Sequence, residues 1–519
     1  MSIFKSKFIL SSLFLCLLYP NLFGKTHTNK TFLTPRNVSQ NIPLEFSTWR
    51  TQLFKTKKDK IKGSFQAATF YQKSTNKSDL GKYFGIYAST AGENRNYLNV
   101  DHSGAAKSGM TDPDALWAYY TAHLSDPSAF YPVTVANFPK TNLDGKIEFK
   151  PYQEAWGLNF NYYQNFNCLI KGIFFEIKVP YTQVKNSLNI KNLSQIIPVI
   201  TDENDYPANY LNILDYLNGN LKNELDGSDK LQTALQKAKY SGSRTKDGVP
   251  DVDLKLGYNF FEKRYRKLSL AICLDIPAGN KATGEYLFEP LVGNGQHWGL
   301  GAEIDSRFTF WHDKNNSIEI LPVLNLKYFF SNTQARTLGF KNTSDQLINF
   351  GHYYLGGQVG QNSLFPLANV LTQNVKVTPG WQFEGILNLE AKLQKFIVDI
   401  GYDLFVKESE KVSLKNAWQN DTYAVASYDY DTSSAYAITA ANIATDIMGT
   451  AQAIQSENID LNVAKTPSQV TNKIYGAIGY QSRLKENSIF FGLGASYEFA
   501  SNNAALEGYS VWTKFGFDF

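Results

Sequence analysis

Cysteine, methionine and histidine are scarce in this 519-residue chain, with three Cys, three Met and six His. No two Cys stand in a C-x-x-C spacing, which leaves a zinc site or a thioredoxin-type redox pair without support. Cys16 falls in the N-terminal apolar run. Cys168 and Cys273 leave room for one disulfide in an oxidising compartment, with two isolated small residues on strands as the preferred reading. The six His (His27, His102, His123, His297, His312 and His352) form no H-E-x-x-H, and the chain holds no G-x-S-x-G elbow and no phosphate loop. No catalytic, metal-binding or cofactor-binding residue is therefore assigned, and the chain is expected not to be an enzyme. A large excess of one charge is also missing. The formal net charge is +4, and about +2 without the first 24 residues, which carry Lys5 and Lys7 and no acid. With so little basic excess, a nucleic-acid partner is not expected. Long apolar runs are missing after residue 24, which excludes membrane-spanning helices. If the chain enters a membrane, a closed β-barrel is the way left to satisfy its backbone there.

What is abundant is aromatic. Tyr and Phe number 31 and 36, while charged residues are only 19% and mean hydropathy is −0.31. Alternation between a lipid face and a wet face produces such a balance. At the N-terminus, Lys5 and Lys7 precede an apolar run, Phe8 to Tyr19, broken by Pro20 and Asn21. This pattern predicts a secretory signal peptide over 1–24, cleaved near Gly24, because the run is too short to span a bilayer. Residues 25–60 follow as an N-terminal extension, and 61–519 as the body of the fold.

Through the second half, apolar residues occupy every second position of long segments. Val252, Leu254, Leu256, Tyr258 and Phe260 oppose Asp251, Asp253, Lys255, Gly257 and Asn259. Leu268, Leu270, Ile272, Leu274 and Ile276 oppose Lys267, Ser269, Ala271, Cys273 and Asp275. The same period runs through 297–311, 381–390, 396–407 and 488–499. Soluble strands are typically about 5–6 residues, and these run longer. Their apolar faces also carry terminal aromatics such as Trp298, Phe308, Trp381 and Tyr497, as the girdles of a membrane barrel do. Short turns near 165–167, 262–266, 312–316, 392–394 and 484–487 alternate with long connections at 180–249, 278–295, 333–375 and 408–470, with one short exception at Ser501–Ala504. The fold class expected is all-β: a transmembrane antiparallel β-barrel of about 14 strands, with 12 to 16 open, long loops on one side and short turns on the other. The weaker strand candidates are 62–72, 81–89 and 143–149. Helices are expected over Ala115 to Ala122, after Thr111-Asp112-Pro113-Asp114, and in the 180–249 loop at Tyr210 to Leu217 and Leu231 to Ala238. That loop is expected either to fold inward and narrow a channel or to cap the surface.

In the last segment Tyr509, Val511, Phe515, Phe517 and Phe519 alternate with Ser510, Trp512, Lys514, Gly516 and Asp518. It resembles the C-terminal signal of bacterial outer-membrane β-barrel proteins, a final amphipathic strand ending on Phe. The resemblance implies that Phe515, Phe517 and Phe519 present the chain to the barrel-assembly machinery, and that outer-membrane lipid is its solvent. A second resemblance covers Val249-Pro250-Asp251-Val252 through Asp275-Ile276-Pro277-Ala278-Gly279-Asn280. It is similar to a hairpin of outer-membrane transporters of hydrophobic compounds, and implies uptake of a hydrophobic or aromatic molecule.

The polar faces carry Asp253, Lys255, Asp275, Glu303, Asp305, Arg307, Lys327, Glu384, Glu390, Asp399, Asp403, Glu498 and Lys514, nine acids and four bases. In a barrel these line the lumen, which predicts either a mild cation preference or a lumen closed by their salt bridges. The function expected is a porin-like outer-membrane channel for passive diffusion of small solutes. The alternatives are a hydrophobic-compound transporter, marked by a plugged lumen and a lateral opening, a structural or adhesive barrel, and a secreted soluble β-protein.

Overall fold

The computed structural model describes residues 29–47, 62–75, 77–85, 87–88, 93–101, 116–117, 145–192, 213–220, 233–240, 242–263, 265–345, 347–361, 364–425, 452–484, 487–500 and 504–519. The signal peptide expected over 1–24 lies outside them.

Twelve strands close one antiparallel ring. They are β1 (Lys62–Ser74), β2 (Tyr152–Asn165), β3 (Ile173–Ser187), β4 (Asp251–Lys263), β5 (Arg266–Pro277), β6 (Gly299–His312), β7 (Asn316–Phe329), β8 (Gly380–Leu393), β9 (Phe396–Lys407), β10 (Gln469–Leu484), β11 (Asn487–Phe499) and β12 (Gly508–Asp518). Each pairs with its neighbours in sequence, and β12 returns to β1 with Ser64 opposite Asp518 and Ser74 opposite Gly508. Closure leaves no edge, as a wall in hydrocarbon requires. A short strand, Arg244–Gly248, is bonded to β3 just before β4 begins. This agrees with the expected barrel of about fourteen strands within a range of twelve to sixteen.

The faces separate as the period-two reading requires. Leu256, Ile272 and Ile400 are 58%, 61% and 64% exposed, while Asp275 and Asp403 are fully buried. In water that arrangement would be inverted, since exposed apolar patches of this extent are rare on soluble monomers. An apolar outer belt around a polar interior is the construction of an outer-membrane β-barrel. Inward glycines make room for inward rings. At Gly401 a Cβ would meet the Tyr475 ring at 2.2 Å, and at Gly494 the Trp512 ring at 2.2 Å. The Tyr475 ring so placed donates its hydroxyl to Asn388 at 2.9 Å.

The weaker strand candidates resolve differently. Residues 62–72 are the wall strand β1, but Lys77–Phe84 is a helix and Gly145–Glu148 joins a small sheet with Tyr97–Asp101. The described parts of the β1–β2 connection consequently lie on the long-loop side, as does the short connection from β11 to β12, and the other short turns lie at the opposite end. The helix expected over Ala115 to Ala122 is described only at Leu116–Trp117, a strand paired with Tyr97–Asp101. In the 180–249 loop, Ile213–Asn218 is helical. Residues 233–240 are not. Ala238 has a φ of 53° and the stretch runs beside 284–287, exchanging backbone hydrogen bonds with Gly284, Glu285 and Leu287. Its apolar spacing serves a mixed cluster instead of one helix face. Tyr216, Leu217, Tyr240, Phe288, Phe340, Tyr353 and their neighbours bury one another above the ring, so the described part of this loop caps the barrel.

Candidate functional site

The lumen is occupied by the chain's own residues 29–47. Thr34-Pro35 and Ile42-Pro43 keep the segment from forming long regular structure, because proline removes a donor and fixes φ. Only α1 (Ile42–Phe46), with Pro43 in its first turn, is helical. At the capped end Lys30 Nζ donates to the Asn462 carbonyl at 2.6 Å, and Thr31 N–H to that of Val463 at 3.0 Å. Further down, Val38, Leu44 and Phe46 pack on the inward Phe70, Leu321, Val323, Ile386 and Trp512. Lys514 Nζ, from β12, donates to the Leu44 carbonyl at 2.7 Å.

Between these two contacts stands Arg36. Its guanidinium is paired with Glu384 of β8, with Asp403 of β9 at 3.2 Å and with Glu498 of β11 at 3.2 Å. Its Cζ lies 4.4 Å from the centre of the Phe405 ring. Lys473, on the intervening β10, reaches Glu498 at 3.1 Å and Asp403 at 3.7 Å. Burial opposes the charged guanidinium, but the three carboxylates outweigh it and hold Arg36 protonated well above its ordinary range.

Several of the other inward charges are paired around the same segment. Lys178 bonds Glu45 of α1 and the Ser39 carbonyl, the latter at 2.7 Å, and lies 3.3 Å from Asp253. Lys327 pairs with Asp275 at 2.7 Å, and Lys255 with Glu303 at 2.9 Å. Asn388 donates to Asp399 at 2.6 Å. Asp305, Arg307 and Glu390 are buried on the same inner face toward the short turns. The structure thus places all thirteen charged positions inside the ring and brings Glu384, Asp403 and Glu498 together on one cation. Two small pockets border the segment, one lined by Arg36, Gln334 and Lys407 and the other by Lys178, Asp253 and Glu384. Phe515, Phe517 and Phe519 face outward, and the backbone of Phe519 exchanges two 3.0 Å hydrogen bonds with Gly63.

Arg36, Lys178, Lys473 and Glu45 were not among the residues singled out from sequence. The signal for a missing cation was nonetheless present, since nine acids against four bases on one buried face demand further positive charge.

Over the lumen a polar thread ties the cap together. His297 Nδ1 donates to the Phe330 carbonyl at 2.7 Å, and its Nε2 accepts from Gln334 at 2.8 Å. Gln334 Oε1 accepts from Arg336 at 2.7 Å, and Arg336 lies 3.5 Å from Glu410. Burial lowers His297 to about 4 and Arg336 to about 10. Burial alone lowers His352, in the cap, to about 3.

Among the described residues, the wall ladder is interrupted beside β3. Residues 173–178 of β3 pair with β4, and 182–186 pair with Arg244–Gly248. Between them Val249 and Pro250 break the partner strand, and 179–181 have no ladder partner on that side. Pro250 offers no N–H to restore one.

No protein-family model and no curated protein matches this sequence. Among solved structures, an outer membrane channel from Pseudomonas putida F1 aligns over 88% of this chain and 96% of its own, at 8% identity and a TM-score of 0.35. A Pseudomonas aeruginosa FadL homologue aligns over 96% and 98%, at 7% identity and a TM-score of 0.27. The TodX monoaromatic hydrocarbon channel, as a deletion mutant, aligns over 96% and 99%, at 8% identity and a TM-score of 0.33. These scores are low, and the fold assignment rests on the strand register.

Proposed function

We propose that the protein is a bacterial outer-membrane channel plugged by its own residues 29–47, and that small solutes pass once this segment shifts. The observation that carries the reading is Arg36, seated on carboxylates from three wall strands. A passive pore with a permanently open lumen has no use for such a seat. With the segment displaced, the wall keeps its acidic excess, which favours cations. Reversal potentials across a salt gradient, measured on an Arg36→Ala variant in planar bilayers, test this. Cation preference is expected, while a permeability ratio near one or anion preference contradicts it.

The break at Val249 and Pro250 favours a second reading, in which an apolar solute leaves the lumen sideways through the wall. Liposomes carrying a Pro250→Val variant test that reading. Passage of a monoaromatic solute several-fold slower than with the wild type supports it, and unchanged passage removes it.

A further inference from the structure

We propose that Glu384, Asp403, Glu498 and Phe405 form a binding site for an organic cation of the guanidinium or alkylammonium type, which Arg36 occupies as a tethered stand-in. This deepens the reading of a self-plugged channel and rests on it.

The argument starts from the wall. The three carboxylates come from β8, β9 and β11, and their side chains converge on one point inside the ring. Lys473 offsets one of the three charges. Arg36 meets one of the two that remain, so the wall without it keeps two charges unmet, and buried charge without a partner is strongly unfavourable. The present occupant belongs to a segment that contributes no strand to the wall. The wall alone therefore presents an unbalanced anionic pocket.

Two features go beyond charge. Asp403 is fully buried, and its Oδ1 has no hydrogen-bond partner even with Arg36 seated. The carboxylate that meets Arg36 through Oδ2 thus keeps acceptor capacity to spare on Oδ1. Phe405, two residues along β9 on the same inner face, presents its ring to the guanidinium at 4.4 Å. Carboxylates opposite an aromatic face select soft, delocalised or alkylated cations. A hard divalent ion would instead ask for an all-oxygen shell. A cationic solute entering the site replaces Arg36 charge for charge, and the lost anchor then frees residues 29–47 to move.

The test is isothermal titration of the full-length refolded protein in detergent with arginine methyl ester as the probe. Arg36→Ala is expected to bind it saturably, at least tenfold tighter than the wild type, and Arg36→Ala/Glu384→Gln/Glu498→Gln is expected to lose that gain. If Arg36→Ala fails to show the folded band on unheated gels, Arg36→Met serves, since it keeps the packing of the stem. Binding no tighter than wild type, or tight binding that survives the two Gln substitutions, overturns the site. Tighter binding of magnesium than of arginine methyl ester overturns the ligand class. Conductance separates the two claims. A variant that conducts without binding the probe keeps the plugged channel and removes this site, and one that binds without conducting does the reverse.

Discussion

At the scale of single residues, the lumen is organised by charges that have no water to retreat to. Removing one member of a buried ion pair costs about 3–5 kcal/mol, because its partners stay behind uncompensated. Arg36→Ala is therefore expected to loosen residues 29–47 more than any neutral substitution in the segment, seen as faster protease cleavage between 29 and 47. Equal cleavage in the two proteins would contradict this. Gly401→Val should displace the Tyr475 ring and its bond to Asn388, at a cost of about 1–3 kcal/mol. A urea midpoint unchanged on gel-shift titration would show that the ring has another place to go. The thirteen inward charges were legible in the sequence because alternation on a strand dictates which face a side chain takes. Arg36 was not legible. It lies in a segment with prolines and no period, and nothing local says that it threads a ring of strands.

Among the elements, the cap and the wall answer to different forces. The wall strands are written in period two and most were readable, including β1, but β3 runs Ile173–Ser187 and so takes 180–187 from the stretch expected to be a long loop. The candidate at 81–89 is only partly a strand: Lys77–Phe84 is helical, since a short apolar stretch fits a helix as well as a strand, and Tyr87–Ala88 pairs with Glu93–Asn94 outside the wall. The helix expected over Leu231 to Ala238 failed because its spacing served an apolar cluster built from several loops. The cap also carries buried neutral histidines, and these make it sensitive to acid. With folded values near 4 for His297 and near 3 for His352, both lie below the ordinary 6.5. Between those values and 6.5 the unfolded cap binds more protons than the folded one, so stability falls as pH falls through that window. Limited proteolysis should cut the loops 330–379 and 408–468 faster at pH 4.5 than at pH 7.5, while the strands stay protected. Loops equally resistant at both pH values would mean that water reaches the histidines.

For the whole molecule, ring closure does most of the work. β12 meets β1 along its full length, and the terminal Phe519 is bonded to Gly63. Its role as an assembly signal is a proposal that deletion can check: a chain lacking Phe519 is expected to reach the outer membrane at several-fold lower yield, and equal yield would reduce the residue to a strand end. The barrel class was readable from long alternating strands and sorted loops. The filling of the lumen was not, since it depends on a segment distant in sequence from the wall it meets. The central claim is that this segment closes the channel, and the measurement that tests it most directly is conductance in planar bilayers, wild type beside Arg36→Ala. The wild type should stay silent or open rarely, and the variant should give stable, salt-dependent steps. Wild-type protein that conducts in steady steps of the same size as the variant would contradict the account.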